Sequence, residues 1–379
     1  MSIMSLQTPL ILLLHWSFTF LVGVGGVPAI PTDAAQIYLP LIREQSPVIV
    51  IPSSGIWIAD EQLAALPTTG PAWEQLQETA DQVASPPNLG DQDSDANVQI
   101  LAKALVFART GEEKYRTEVG DALALITANN TEDAGRTLAL GRELAAYVMA
   151  ADLINLADYN PGLDVQFRAK LRGLLTKPLE SWSDLKTLQQ THELRPNNWG
   201  THAGASRVAV ALYLGDKTEL ERSARVFFGY LGNLAAYNGF EYAEDLSWQA
   251  NPGQPTGLNP AGAAKAGYPI DGALPEEMRR GGAFQWPPLP TNYPWEALQG
   301  AVVQATLLQR AGYPVWEWEN RALLRSVQFL YNIGWTAEGD DEWITPLINC
   351  FYATSFPVAS QVQAGKNMGW TDWTHAQCP

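Results

Sequence analysis

From about residue 98 to residue 236 the apolar positions recur every three to four residues, the spacing that lays a hydrophobic stripe along an α-helix. Gln99 to Arg109 carries Ile100, Leu101, Ala104, Leu105 and Phe107, and Gly111 stops it. Tyr115 to Ala128 repeats the pattern with Val119, Ala122, Leu123 and Ile126. Leu138 to Leu156 is apolar around most of its circumference, so burial on both sides is expected. Further helices are expected over 164–176, 179–190, 203–214 and 218–236, joined by the short connections of antiparallel hairpins. Alternating, β-type patterns are nearly absent.

The character changes from Asn238 to Pro294. Nine prolines and seven glycines fall between Asn251 and Pro294, and no helix of any length can cross that stretch. It also holds Trp248, Tyr268, Trp286 and Tyr293, an aromatic content that disorder does not favour. An ordered wall over a cleft is therefore expected. Helices resume at Trp295 to Arg310 and Trp316 to Tyr331, and the tail from Gly334 to Pro379 is expected to be irregular. The pattern predicts an all-α chain. Its expected form is an α/α toroid, an incomplete barrel of helical hairpins with long irregular loops over the cleft; an open helical solenoid is the alternative.

Composition narrows the picture. The first thirty residues hold no Asp, Glu, Lys or Arg, and the apolar run Pro9 to Val24 ends in small residues. This predicts a signal peptide over 1–26 and a secreted protein; residues 27–379 are expected to form a single domain that acts as a monomer. No other segment is long and apolar enough to span a bilayer. The formal charge of -16 excludes sequence-independent nucleic-acid binding and opposes docking to anionic lipid. An acidic partner could be held only in a local basic pocket, which makes the few arginines informative. Cys350 and Cys378 are expected to pair in an oxidising compartment. Asn129-Asn130-Thr131 is a glycosylation sequon.

Beyond the leader only His192, His202 and His375 remain, so a helical His-x-x-x-His zinc site cannot be built. Asp91, Asp93 and Asp95 mimic the start of a calcium loop. However, Ala96 and Ala102 stand where such a loop needs Gly and Glu, and a helix-capping role is expected instead. No phosphate-binding glycine loop or Gly-x-Ser-x-Gly elbow occurs. Neither a metal nor a cofactor is expected. The segment Arg195-Pro-Asn-Asn-Trp-Gly-Thr-His-Ala-Gly204 stands out because Asn198 and His202, four apart, share one helix face. The structural alternative there is an N-cap at Asn197 or Asn198 and a core histidine.

Asp271-Gly-Ala-Leu-Pro-Glu-Glu-Met-Arg-Arg-Gly-Gly282 follows later, then Trp286 and Tyr293-Pro-Trp-Glu-Ala-Leu298. With the Asn-Asn helix start, these segments resemble the alginate-lyase-like α/α-toroid polysaccharide lyases, and most of all polysaccharide lyase family 38 and its secreted relatives. Gly55-Ile-Trp57, Gly257-Leu-Asn-Pro260 and Gly369-Trp-Thr-Asp-Trp-Thr-His375 fit the same resemblance, which covers nearly all of the mature chain. Two departures stand against it. Trp199 occupies the place where related lyases carry histidine, and the spacing from Arg280 to Tyr293 is longer than theirs.

The resemblance implies β-elimination on a uronate-containing polysaccharide such as glucuronan or alginate. The proton at C5 is weakly acidic while the neighbouring carboxylate is charged, so preorganised donors must neutralise that carboxylate. Asn198, with Asn197 or His202, can donate such hydrogen bonds, and Arg280 or Arg279 adds a bidentate cation. Tyr293 is the expected base and acid. Trp199, Trp248 and Trp286 are the expected sugar-lining aromatics, His375 a further histidine that could reach the cleft, and His192 structural. Two alternatives remain. One is an inverting glycoside hydrolase using Glu244 or Asp245 with Asp340 or Asp341; the other is a non-catalytic acidic-glycan-binding protein.

Overall fold

A computed structural model describes residues 49–128, 135–182 and 184–376. The expected signal peptide, the sequon at Asn129 and the cysteine at 378 lie outside them; Cys350 is disulfide-bonded. The described residues belong to one unit, Pro47–Pro379. They are mostly helical, and the all-α expectation holds.

The helices in chain order are α1 (Asp60–Ala65), α2 (Pro71–Asp81), α3 (Ala96–Thr110), α4 (Glu113–Ala128), α5 (Thr137–Leu153), α6 (Leu156–Tyr159) and α7 (Pro161–Thr176). They continue with α8 (Leu188–Leu194), α9 (Asn198–Leu214), α10 (Lys217–Tyr230), α11 (Pro275–Met278), α12 (Tyr293–Arg310), α13 (Trp318–Asn332), α14 (Ile344–Tyr352) and α15 (Thr371–Thr374). Two small antiparallel hairpins, Leu179–Ser181 with Asp184–Lys186 and Ala264–Lys265 with Tyr268–Pro269, interrupt them.

Most expected helices appear within a few residues of their predicted bounds; three regions differ. The helix expected over 179–190 is replaced by the first hairpin and α8. Trp182 takes a left-handed backbone with φ 69, which a right-handed helix cannot contain, and the Thr187 side chain caps a new start. The last expected helix of the first half, 218–236, stops at Tyr230, with Gly232 at φ 126 just beyond it. In the tail, expected to be irregular, α14 forms with Ile344, Leu347 and Ile348 buried. Pro346 sits in its first turn, where its missing N–H has no helical partner to lose. The acidic run before α3 does not cap it through a side chain: Asp95 stands at the N-cap position, but Asp91 accepts from the Asp93 N–H instead.

The centre of the molecule is α9, in which every residue from Asn198 to Tyr213 is buried. A helix buried all round needs neighbours on every side, and α5, α8, α10 and α12 supply them. Two contacts are unusually close. A Cβ on Gly141 of α5 would lie 2.8 Å from the Ala203 nitrogen, and one on Gly300 of α12 would lie 2.4 Å from the Thr201 carbonyl carbon. Ser206 Oγ donates to the Gly141 carbonyl and accepts from the Ala145 N–H. Gln304 Nε2 donates to the Thr201 carbonyl, and its side chain lies where a Cβ on Gly204 would be. Position 141 thus pairs with 203 and 145 with 206; likewise 300 pairs with 201 and 304 with 204. Both pairings advance in the same direction, so α5, α9 and α12 run parallel and their N-termini lie at one end.

Replacing Gly300 by Ala tests this packing. The new methyl meets backbone rather than a flexible side chain, so stability is expected to fall by about 1–3 kcal/mol, seen as a lower denaturant midpoint with an unchanged slope. A midpoint equal to that of the wild type would refute the close approach.

Candidate active site

A cleft of about 380 Å³ opens at the shared end of the three parallel helices. Arg136, Leu138 and Arg142 line it from the start of α5, Asn198 and Trp199 from the start of α9, and Asn292, Tyr293 and Glu296 from the start of α12. Arg280 comes from the Pro/Gly-rich wall, Trp182 from the first hairpin and Gln92 from the segment before α3. Three helix N-termini carry partial positive charge into one cavity, and three arginines join them against a single lining carboxylate.

Each arginine is placed differently. Arg136 is half-exposed, with its Nε 3.5 Å from Glu180 Oε1. Arg142 is buried, donates to the Gln92 carbonyl at 3.2 Å and pairs with Glu296. Arg280 makes no hydrogen bond or ion pair with a described residue, and its buried Nη1 is without a partner. Its guanidinium lies over the Tyr293 ring, 3.9 Å from the centroid, and over the Trp182 ring at 4.8 Å. The rings fix the cation in place while its donors stay uncommitted. A buried donor without a partner is costly, so this guanidinium is built to receive an acceptor from outside.

Asn197 caps α9: its Oδ1 accepts from the Trp199 N–H at 3.1 Å, and so does Asn198 Oδ1 at 3.0 Å. That use of the Asn198 oxygen leaves its Nδ2 donor free for the cleft. The Asn198 N–H donates to buried Glu277, whose other oxygen has no partner. Trp199 is tilted against Trp182, centroids 6.1 Å apart, so indoles form one wall.

His202 does not reach the cleft. It is fully buried one turn below Asn198, and its Nδ1 lies 2.5 Å from Asn367 Oδ1. Asn367 Nδ2 donates to the carbonyls of Gly141 and Arg142, which fixes the amide orientation and puts the imidazole proton on Nδ1. The bare Nε2 then faces Glu296 Oε2 at 3.7 Å. Burial holds the imidazole below its ordinary value despite the Glu296 carboxylate. Burial also works against charge on Glu296, but the Arg142 guanidinium, with Lys366 beyond it, favours the carboxylate, and the group lies below the ordinary range.

The other expected residues fall elsewhere. Arg279 is held by Glu276 at 2.7 Å and does not line the cleft. Trp248 is buried, donating from Nε1 to the Gly282 carbonyl and packing edge-on against Phe284, so it supports the wall and touches no ligand. Trp286 stacks on Tyr268 and lines a different pocket. His375 lines a cavity of about 590 Å³ between α2 and the tail, where burial pushes it down to about 4. His192 is buried against Arg207, as its structural role predicted. Neither Glu244 nor Asp245 lines the cleft, and Asp341 is buried behind it, accepting from Gln299. Among the described residues no group of His, Cys, Asp or Glu side chains is placed to hold a metal ion.

Arg142, Glu296 and Trp182 were not singled out from the sequence. Arg142 and Glu143 are two charges inside an otherwise apolar helix, a signal that was present. Glu296 lies three residues after Tyr293, on the same helix face. No family model matches the chain, and no curated protein matches it in sequence.

Burial pushes the Glu277 carboxyl up to about 8, against the Asn198 N–H and the Arg280 guanidinium, which favour its charged form. Its folded value lies above the ordinary 4.5, so the native state holds the proton more tightly between those limits. The corresponding stability is present below the lower value and lost as pH rises through the higher one. Glu277→Gln keeps an acceptor for the Asn198 N–H. Its urea midpoint is expected to decline less than that of the wild type between about pH 5 and 8. Parallel profiles for the two proteins would contradict the assignment.

Proposed function

We propose that this chain is a polysaccharide lyase that cleaves a uronate-containing polysaccharide by β-elimination. The observation that carries the reading is the convergence of three helix N-termini and three arginines on one cleft in a chain of net charge -16. Such a cavity favours an anion, and its indole wall favours the C–H face of a sugar ring. The parallel α5, α9 and α12, each separated from the next by returning helices, further support an α/α toroid with these three on its inner side.

In this mechanism Arg280 and the Asn198 Nδ2 bind the sugar carboxylate and take up the charge that develops on it as C5 loses its proton. The Tyr293 oxygen, in phenolate form, receives that proton. The C5–H electrons become the C4–C5 double bond, the C4–O bond breaks, and the departing glycosidic oxygen takes the same proton back from Tyr293. No proton is gained or lost overall. The Arg280 guanidinium over the ring is the counter-cation of the phenolate before it takes the proton and again after returning it. Because His202 is buried, it acts only through Glu296, which holds Arg142 in the cleft.

The hydrolase alternative needs two opposed carboxylates, and the cleft lining contains one, already paired with Arg142. Glucuronan, alginate, hyaluronan and pectate assayed for the ultraviolet absorbance of an unsaturated uronate test the proposal. Reducing ends without that absorbance would point to hydrolysis, and affinity without product to a binding protein. Tyr293→Phe and Arg280→Lys are each expected to lower turnover by about 10²–10³-fold, the first by removing the base and the second by losing the planar, bidentate cation. Near-normal turnover in Tyr293→Phe would sink the assigned roles.

A further inference from the structure

We infer a second saccharide-binding site, for a neutral pyranose ring, on the outer side of the loop that carries Arg280 at one end and Tyr293 at the other. A pocket of about 200 Å³ lies between that loop and α13, lined by Pro269, Asp271, Trp286, Arg325, Gln328 and Asn332 among others. None of its lining residues lines the arginine cleft.

Trp286 is the central feature. Its indole stacks on Tyr268 with centroids 4.8 Å apart and an interplanar angle of 12°. Tyr268 is 41% exposed, and Trp286 is half-buried, packed against the edge of the core. Anchoring the loop does not require this pair. The Phe284 N–H donates to Ser247 Oγ, Phe284 packs on Trp248, and the Trp248 indole donates to the Gly282 carbonyl. A half-buried indole that lines a cavity, in a loop also fixed by other residues, fits a ligand-binding platform.

The polar lining indicates which ligand. Arg325 and Asp271 neutralise each other. Asp271 also accepts from the Gly262 N–H, and Arg325 donates to the carbonyls of Asn259, Asn320 and Glu319. Neither is available to a charged ligand. Gln328 and Asn332 are four apart on α13, exposed, and make no hydrogen bond with a described residue. Each carboxamide offers a donor and an acceptor, the pairing a sugar hydroxyl needs. The volume is below the roughly 300–1,000 Å³ typical of drug-sized sites, which suits one ring. A platform with two free carboxamides and cancelled charge therefore selects a neutral hexopyranose, whereas the cleft selects an anion.

Binding here needs no turnover, so the test is independent of the lyase reading. Cellohexaose is titrated into the full protein by calorimetry, alongside a glucuronic-acid hexamer. Saturable binding of cellohexaose is expected, weakened about tenfold in Trp286→Ala and to a similar degree in the double variant Gln328→Ala/Asn332→Ala. The double variant changes only exposed side chains, and an unchanged melting temperature confirms its fold. Arg280→Ala is expected to weaken the acidic hexamer and leave cellohexaose binding intact. Absence of cellohexaose binding in the wild type, full affinity in the double variant, or loss of cellohexaose binding in Arg280→Ala would each overturn the site.

Discussion

The close parallel packing of α5, α9 and α12 is the constraint on which the rest depends. Two glycines, Gly141 and Gly300, let the outer pair approach α9 until backbone meets backbone around Thr201, His202 and Ala203. At that distance the three helices are locked in register as well as in direction. Their first turns must end at one level, and the residues found there become neighbours although α5 and α12 begin more than 150 positions apart in sequence. The site follows from the packing, since a register shift of one turn in α12 would carry Tyr293 and Glu296 away from Asn198.

The same packing sets up an electrostatic contrast. The chain as a whole is strongly acidic, yet the cavity collects helix N-termini and guanidinium groups. Two glutamates take up some of these groups. Glu277 takes the first N–H of α9, and Glu296 takes Arg142, with His202 and Asn367 holding its far side. What remains open is the pair formed by Arg280 and the Asn198 amide. Most of the polar groups around the cleft are thus engaged within the protein, while the Arg280 guanidinium and the Asn198 amide face the cavity.

Much of this was legible in the sequence, for identifiable reasons. Helices with a strong three-to-four period, such as α3 and α4, appear close to their expected bounds because pattern and burial agree. The segment 179–190 failed because its apolar spacing says nothing of the left-handed turn at Trp182. The tail holding α14 was expected to be irregular, yet Ile344, Leu347 and Ile348 share a buried face there, and a first-turn proline at 346 breaks nothing. At the site, Asn198, Arg280 and Tyr293 carried side chains whose chemistry stands out from their neighbours, and they do meet. Arg142 was hidden inside a helix read as core, and Trp182 inside one read as helical. Trp248 and Trp286 show the opposite error: an indole suited to stacking on sugar is equally suited to a wall or a second surface, and only position separates these uses.

The loop between Arg280 and Tyr293 has a consequence for how such sites are recognised. It leaves the cleft at the guanidinium and returns at the ring stacked beneath it, so its two ends touch whatever happens between them. A Cβ on Gly281 would lie 2.6 Å from the Leu289 carbonyl oxygen, so the two arms of the loop meet at a neck. Residues beyond the neck can be added or removed without separating cation from hydroxyl. Chains with different numbers of residues in this loop can therefore assemble the same pair, and a search pattern that fixes the interval would divide molecules that share a centre.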